Sequence, residues 1–103
     1  GIITMLGQNY IKIKSQKQAL LTEYSSALKV QIMIADKNIK YKIDEKVSGD
    51  TIYIYFYADD LYTEKSYGNG YIEINYKTRI VNIKSDTDKL NDILMKTKYN
   101  VKT

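Results

Sequence analysis

A chain of 103 residues, 44% of them hydrophobic, is long enough for one domain built on one core. It contains no cysteine, histidine, proline or tryptophan, which excludes disulfides, thiolate chemistry and the Ser-His-Asp and Cys-His arrangements, and removes the commonest metal ligand. The net charge of +4 comes from sixteen Lys and Arg against twelve Asp and Glu. Arg79 is the single arginine, the side chain suited to bidentate phosphate or guanine recognition. The excess therefore reads as a solvated lysine surface rather than a nucleic-acid footprint.

Residues 1–7, "GIITMLG", are apolar and uncharged, yet too few to span a bilayer, which takes about 20 apolar residues. They read either as a buried start, or as the tail of a longer apolar segment, with Gly1 a scar of tag removal as a further option. Residues 8–36 hold no glycine or proline. Ile13, Leu20, Tyr24, Ala27, Leu28, Gln31, Ile34 and Ala35 fall on one arc at helical spacing, which predicts a long amphipathic helix. The segment "VQIMIA" at 30–35 also alternates well enough for a strand, so an end near Leu28 stays open. Ile11, Val30 and Met33 lie off the arc, either as ordinary surface residues or as contacts to a neighbouring subunit.

From 38 to 84 the period changes to two. Ile39, Tyr41 and Ile43 alternate with lysines, and Gly49 and Asp50 offer a turn into "TIYIYFYADD". "LYTEKSY", "GNG" and "YIEINY" read as a second hairpin, and "YKTR" turns the chain again into "IVNIK". This makes a meander of four to five antiparallel strands. Ser85 is the expected N-cap of a short helix over 86–98, with Leu90, Ile93 and Leu94 as its apolar stripe, and "YNVKT" is expected to fray. No repeat, low-complexity tract or linker divides the chain. The fold class is α+β, a single domain over residues 1–103.

In the tyrosine run, Ile52, Ile54, Phe56 and Ala58 share one face, the expected core face. Tyr53, Tyr55 and Tyr57 share the other, with Tyr71 able to join them from the next strand. Cross-strand sheet building is the first explanation for these rings, ahead of a protein contact surface and of ligand stacking. A single-strand nucleic-acid platform should interleave rings with cations, and residues 51–58 hold none. Asp59, Asp60 and Glu64 lack the spacing of a calcium loop and read as turn residues. No pair of carboxylates is marked out for acid and base work, and no helix follows "YGNGY" to make a phosphate cradle. No catalytic residue, metal site or cofactor site is expected.

The segment "IITMLGQNYIKIKSQKQALLTEYSSALKVQIMI", followed by the sheet sequence "TIYIYFYADDLYTEKSYGNGYIEINYKTRIVNI", resembles the soluble part of type IV pilins and minor pseudopilins. The resemblance covers most of the chain by pattern rather than motif, and the family's cleaved leader and paired cysteines have no counterpart here. It implies a non-enzymatic subunit of a type IV pilus, competence or type II secretion-like filament at the cell surface, membrane-anchored before assembly through a helix upstream. Its partners would be other pilin or pseudopilin subunits. Ile2, Ile3, Met5 and Leu6 would enter the filament core, and Ile11, Val30 and Met33 would meet neighbouring subunits. The alternative from a different class is a small basic binding module of a phage or mobile element, such as an immunity protein, with a nucleic-acid or acidic protein partner.

Overall fold

A computed structural model describes residues 2–58 and 67–101, with side chains described from residue 10 within the first helix. The order is helix α1 (Ile2–Ala35), strands β1 (Tyr41–Ser48), β2 (Thr51–Ala58), β3 (Asn69–Asn75) and β4 (Val81–Ser85), and helix α2 (Asp88–Asn100). The strands form one antiparallel sheet in the order β1-β2-β3-β4, as a meander should. Both helices lie on the same face of it and pack against each other. The α+β architecture expected from the sequence is the one observed.

The core is the meeting of three apolar surfaces. Strand β2 alternates without a slip, burying Ile52, Ile54, Phe56 and Ala58, and β3 adds Ile72 and Ile74. Helix α1 contributes Leu20, Leu21, Tyr24, Leu28 and Ile32, and α2 contributes Leu90, Ile93 and Leu94. Burial of each large side chain of this kind contributes roughly 1.5–3 kcal/mol, so this cluster supplies most of the drive to fold.

Helix α1 is longer than expected at its start and does not end near Leu28. Nothing in "IITMLGQ" breaks a helix firmly, since a lone glycine costs only about 1 kcal/mol, so the backbone is helical from Ile2. At the other end Leu28 and Ile32, one turn apart, are both fully buried. This holds 30–35 in the helical rather than the strand period. The chain leaves the helix at Asp36, whose carboxylate accepts from the Asn38 amide at 3.1 Å. The buried arc is also rotated from the expected one. Leu21, Ser25 and Ile32 belong to it, whereas Ile13, Ile34 and Ala35 are exposed. Ile13 lies at the margin of the sheet, beside Val47 across an open hollow, and fitting it drew the arc off centre.

The Gly49-Asp50 turn is as expected, with Gly49 at φ 59° in the first central position, where two-residue hairpins use glycine. The "GNG" turn is not. Asn69 and Gly70 already lie in β3, opposite Tyr57 and Phe56, and Gly68 alone of the three has a positive φ. The proposed partner strand at 61–66 and the acids Asp59, Asp60 and Glu64 lie outside the described residues. The N-cap of α2 is Thr87 rather than Ser85. The Thr87 hydroxyl accepts from the Leu90 amide at 3.1 Å, while the Ser85 hydroxyl donates to the Thr87 carbonyl. Nor does the chain fray at 99, because α2 continues to Asn100 and Val101 is buried.

Candidate functional site

The tyrosine row sits where the alternation puts it, on the sheet face opposite the helices. Tyr53 and Tyr55 stack with centroids 5.8 Å apart and planes at 15°, and Tyr55 and Tyr57 stack at 6.3 Å and 15°. Tyr71 of β3, opposite Tyr55, leans on both Tyr53 and Tyr55 at 6.3 and 5.6 Å. All four are half-buried against one another. Rings stacked along the strand turn their faces to each other, and what remains for solvent is edges and hydroxyls. Burial, then the charges of Glu73, Tyr55 and Tyr71, push the Tyr53 hydroxyl above its ordinary range.

Register adds what the linear sequence hid. Lys46 of β1 lies opposite Tyr53, Lys42 lies opposite Tyr57, and Lys84 of β4 lies opposite Tyr71. Asp44 stands opposite Tyr55 and Glu73 opposite Tyr53. The cations absent from 51–58 are therefore supplied by the neighbouring strands, interleaved with acids. At the Tyr57 end the face dips into a shallow open hollow of 200 Å3 beside Asn69, Gly70, Lys84 and Asp86. Only the strand alignment could have found this arrangement; no local spacing encodes it.

The second surface is α1. Its 34 residues extend about 51 Å at 1.5 Å each, in a molecule 60 × 22 × 20 Å. The sheet ends where Lys17 reaches it: the Lys17 ammonium donates to the Gly49 carbonyl at 2.7 Å and lies 3.6 Å from the Asp50 carboxylate. It also lies over the Tyr76 ring, whose hydroxyl donates to the Gln16 side chain and whose ring is flanked by Arg79. Before this clamp Val47 of β1 still shares an open hollow of 280 Å3 with Tyr10, Ile13 and Lys14, and Tyr10 and Ile11 are about two-thirds exposed.

Of the residues singled out for subunit contact, Ile11, Val30 and Met33 are exposed on α1 but not together. Ile11 is on the projecting part, whereas Val30 and Met33 lie beside the start of β1. Ile2, Ile3, Met5 and Leu6 have helical backbone, and their side chains lie outside those described. No described helix is long and apolar enough to cross a membrane. Among the described residues no group of carboxylates is gathered as a metal site. No family model, curated protein or solved structure matches this chain.

Proposed function

We propose that this chain is a non-enzymatic structural subunit of pilin or pseudopilin type, in a type IV pilus, competence or type II secretion-like filament. The observation that carries the reading is the helix that outlasts its sheet. Among the described side chains of α1 the first buried one is Leu20, and before the Lys17 clamp Tyr10 and Ile11 are exposed. A projecting helix with an apolar beginning is what a subunit needs to pack on its neighbours' helices, while the sheet's other face looks outward. On this reading Ile2, Ile3, Met5 and Leu6 enter the helical core and an apolar segment encoded upstream anchors the subunit in the membrane before assembly.

The test is site-specific crosslinking in the source cells, with a photoreactive group at Ile11 and the natural gene intact. Crosslinks to sister subunits in a membrane or sheared-filament fraction are the expected result. A monomer confined to the soluble fraction, from a gene starting close to Gly1, sinks the reading.

One observation favours the small basic binding module instead: Lys42, Lys46 and Lys84 around the tyrosine row. Against it stand the mutually stacked rings, which leave few faces for a base, and the acids Asp44 and Glu73 among the lysines. A salt-dependent affinity for single-stranded oligonucleotides, lost on Lys42→Glu and Lys84→Glu, would support the module.

A further inference from the structure

Strand β1 is the edge of the sheet, and among the described residues it pairs on one side only, with β2. An unpaired edge is a template for another strand, and proteins blunt it with shortness, a bulge, proline, lysines or an inward-pointing charge. β1 has eight residues, contains neither proline nor glycine, and meets β2 in register along its whole length. Its outer-face charges alternate in sign, as Lys42, Asp44 and Lys46, with Lys42 and Asp44 paired at 3.7 Å within the chain, and its inward Glu45 is held by the Ser25 hydroxyl.

We propose that β1 is a self-pairing edge: two copies of this chain join antiparallel across it, about a two-fold axis at Ile43, into one continuous sheet. In such a pair the residue on the axis faces itself, and residues equally far to either side face each other. An axis between two residues is excluded, because it would set an inward side chain against an outward one. The remaining registers are sorted by charge, since like charges directly opposite are destabilising. An axis at Lys42 or Lys46 brings two lysines together. One at Asp44 opposes two aspartates and sets Lys42 against Lys46, and one at Glu45 opposes two glutamates. Axes at Tyr41 or Val47 leave too little strand to overlap.

The axis at Ile43 is free of these conflicts from Tyr41 to Glu45. Lys42 faces Asp44 of the second copy, twice by symmetry, and Tyr41 faces Glu45 of the second copy. Lys40, just before the strand, falls opposite Lys46 of the second copy and limits the ladder to these residues. The surface beside the edge fits the same axis. Val30 and Met33 are exposed on a groove of 340 Å3 that also includes Ile39 and Tyr41. Beyond the ladder the same axis carries Val47 of the second copy, nearly half exposed in the single chain, towards that groove. The pairing shares Val30 and Met33 with the subunit contacts of the filament reading but uses neither Ile11 and the projecting part of α1 nor the tyrosine rings, so the Ile11 crosslink and the Lys42–Asp44 exchange tell the two apart.

The test is the solution mass of the chain, by light scattering after gel filtration, for the unaltered protein, Lys42→Asp, Asp44→Lys and the double exchange. Both side chains are well exposed, and circular dichroism verifies that each variant keeps its fold. The unaltered chain and the double exchange are expected at twice the 12.0 kDa chain mass. Each single exchange is expected to weaken the dimer by about tenfold or more, as facing like charges do. An unaltered chain that stays monomeric at high concentration overturns the proposal. A dimer indifferent to the single exchanges places the contact elsewhere, and one lost in the singles but not regained in the double overturns the Ile43 axis.

Discussion

The Ser25 hydroxyl of α1 donates to the Glu45 carboxylate of β1 at 2.7 Å, across the rim of the core. Ser25 is buried among leucines, and Glu45 is the one acid on the inward side of β1. The bond therefore fixes the angle at which the long helix crosses the edge strand. Hydrogen bonds to charged groups contribute about 1.5–3 kcal/mol, and the exposure of Glu45 to water lowers that. Ser25→Ala is expected to destabilise the domain by about 1 kcal/mol in urea unfolding, and no change in midpoint would show the bond to be incidental.

Gly70 and Gly49 are both needed, for different reasons. A Cβ on Gly70 would stand 2.6 Å from the Lys84 carbonyl oxygen and 2.8 Å from the Leu90 side chain. A Cβ on Gly49 would meet nothing within 4 Å, but its φ of 59° disfavours any side chain. Gly70→Ala must push β4 and α2 away from β3, at about 2–3 kcal/mol, and Gly49→Ala costs about 1 kcal/mol through the backbone alone. Equal losses in a denaturant series would contradict this division.

Tyr24 gives the domain an alkaline limit. Burial, followed by the charge of Glu23, raises its hydroxyl above the ordinary tyrosine range, and Arg79 offsets this in part. In the unfolded chain the group ionises near pH 10, so above that pH the unfolded state has lost a proton that the folded state still holds. The contribution is thus fully present below about pH 10 and is lost as pH rises through the folded value. Between pH 9 and 11 the unaltered chain should lose more stability than Tyr24→Phe, and parallel curves would refute the assignment.

The helix before the Lys17 clamp should behave as a separate unit in proteolysis. Lys12 and Lys14 are exposed on it, ahead of Leu20, the first buried position among the described side chains. Brief trypsin treatment is expected to cut there first, and the remaining domain should unfold at nearly the same denaturant concentration. Loss of the fold on that cut would mean that the projecting part is structural after all.

Much of this architecture was legible because β2 and α2 obey a single period. Ile52, Ile54, Phe56 and Ala58 alternate strictly, and Leu90, Ile93 and Leu94 fall on one helical face, so their burial follows from spacing alone. The arc of α1 was less legible, since apolar residues occur on several sides of it and only the sheet's extent decides which are covered. Ile13 and Ile34 were lost, and Ile32 gained, on that account. Gly70 looked like part of a turn because its real constraint, the approach of Leu90, comes from a residue twenty positions away. The lysines around the tyrosine row were hidden for a similar reason: they are neighbours through strand register, which no local pattern carries.

The layout also sets an order of events during synthesis. The meander forms from neighbouring segments, so its hairpins can close as they emerge. Ile72 and Ile74, however, pack in one cluster with Leu90, Ile93 and Leu94, which are made after the whole sheet. Until α2 has left the ribosome the nascent sheet has an apolar face open on one half, and the first helix, made long before, must wait for the last one to lie beside it.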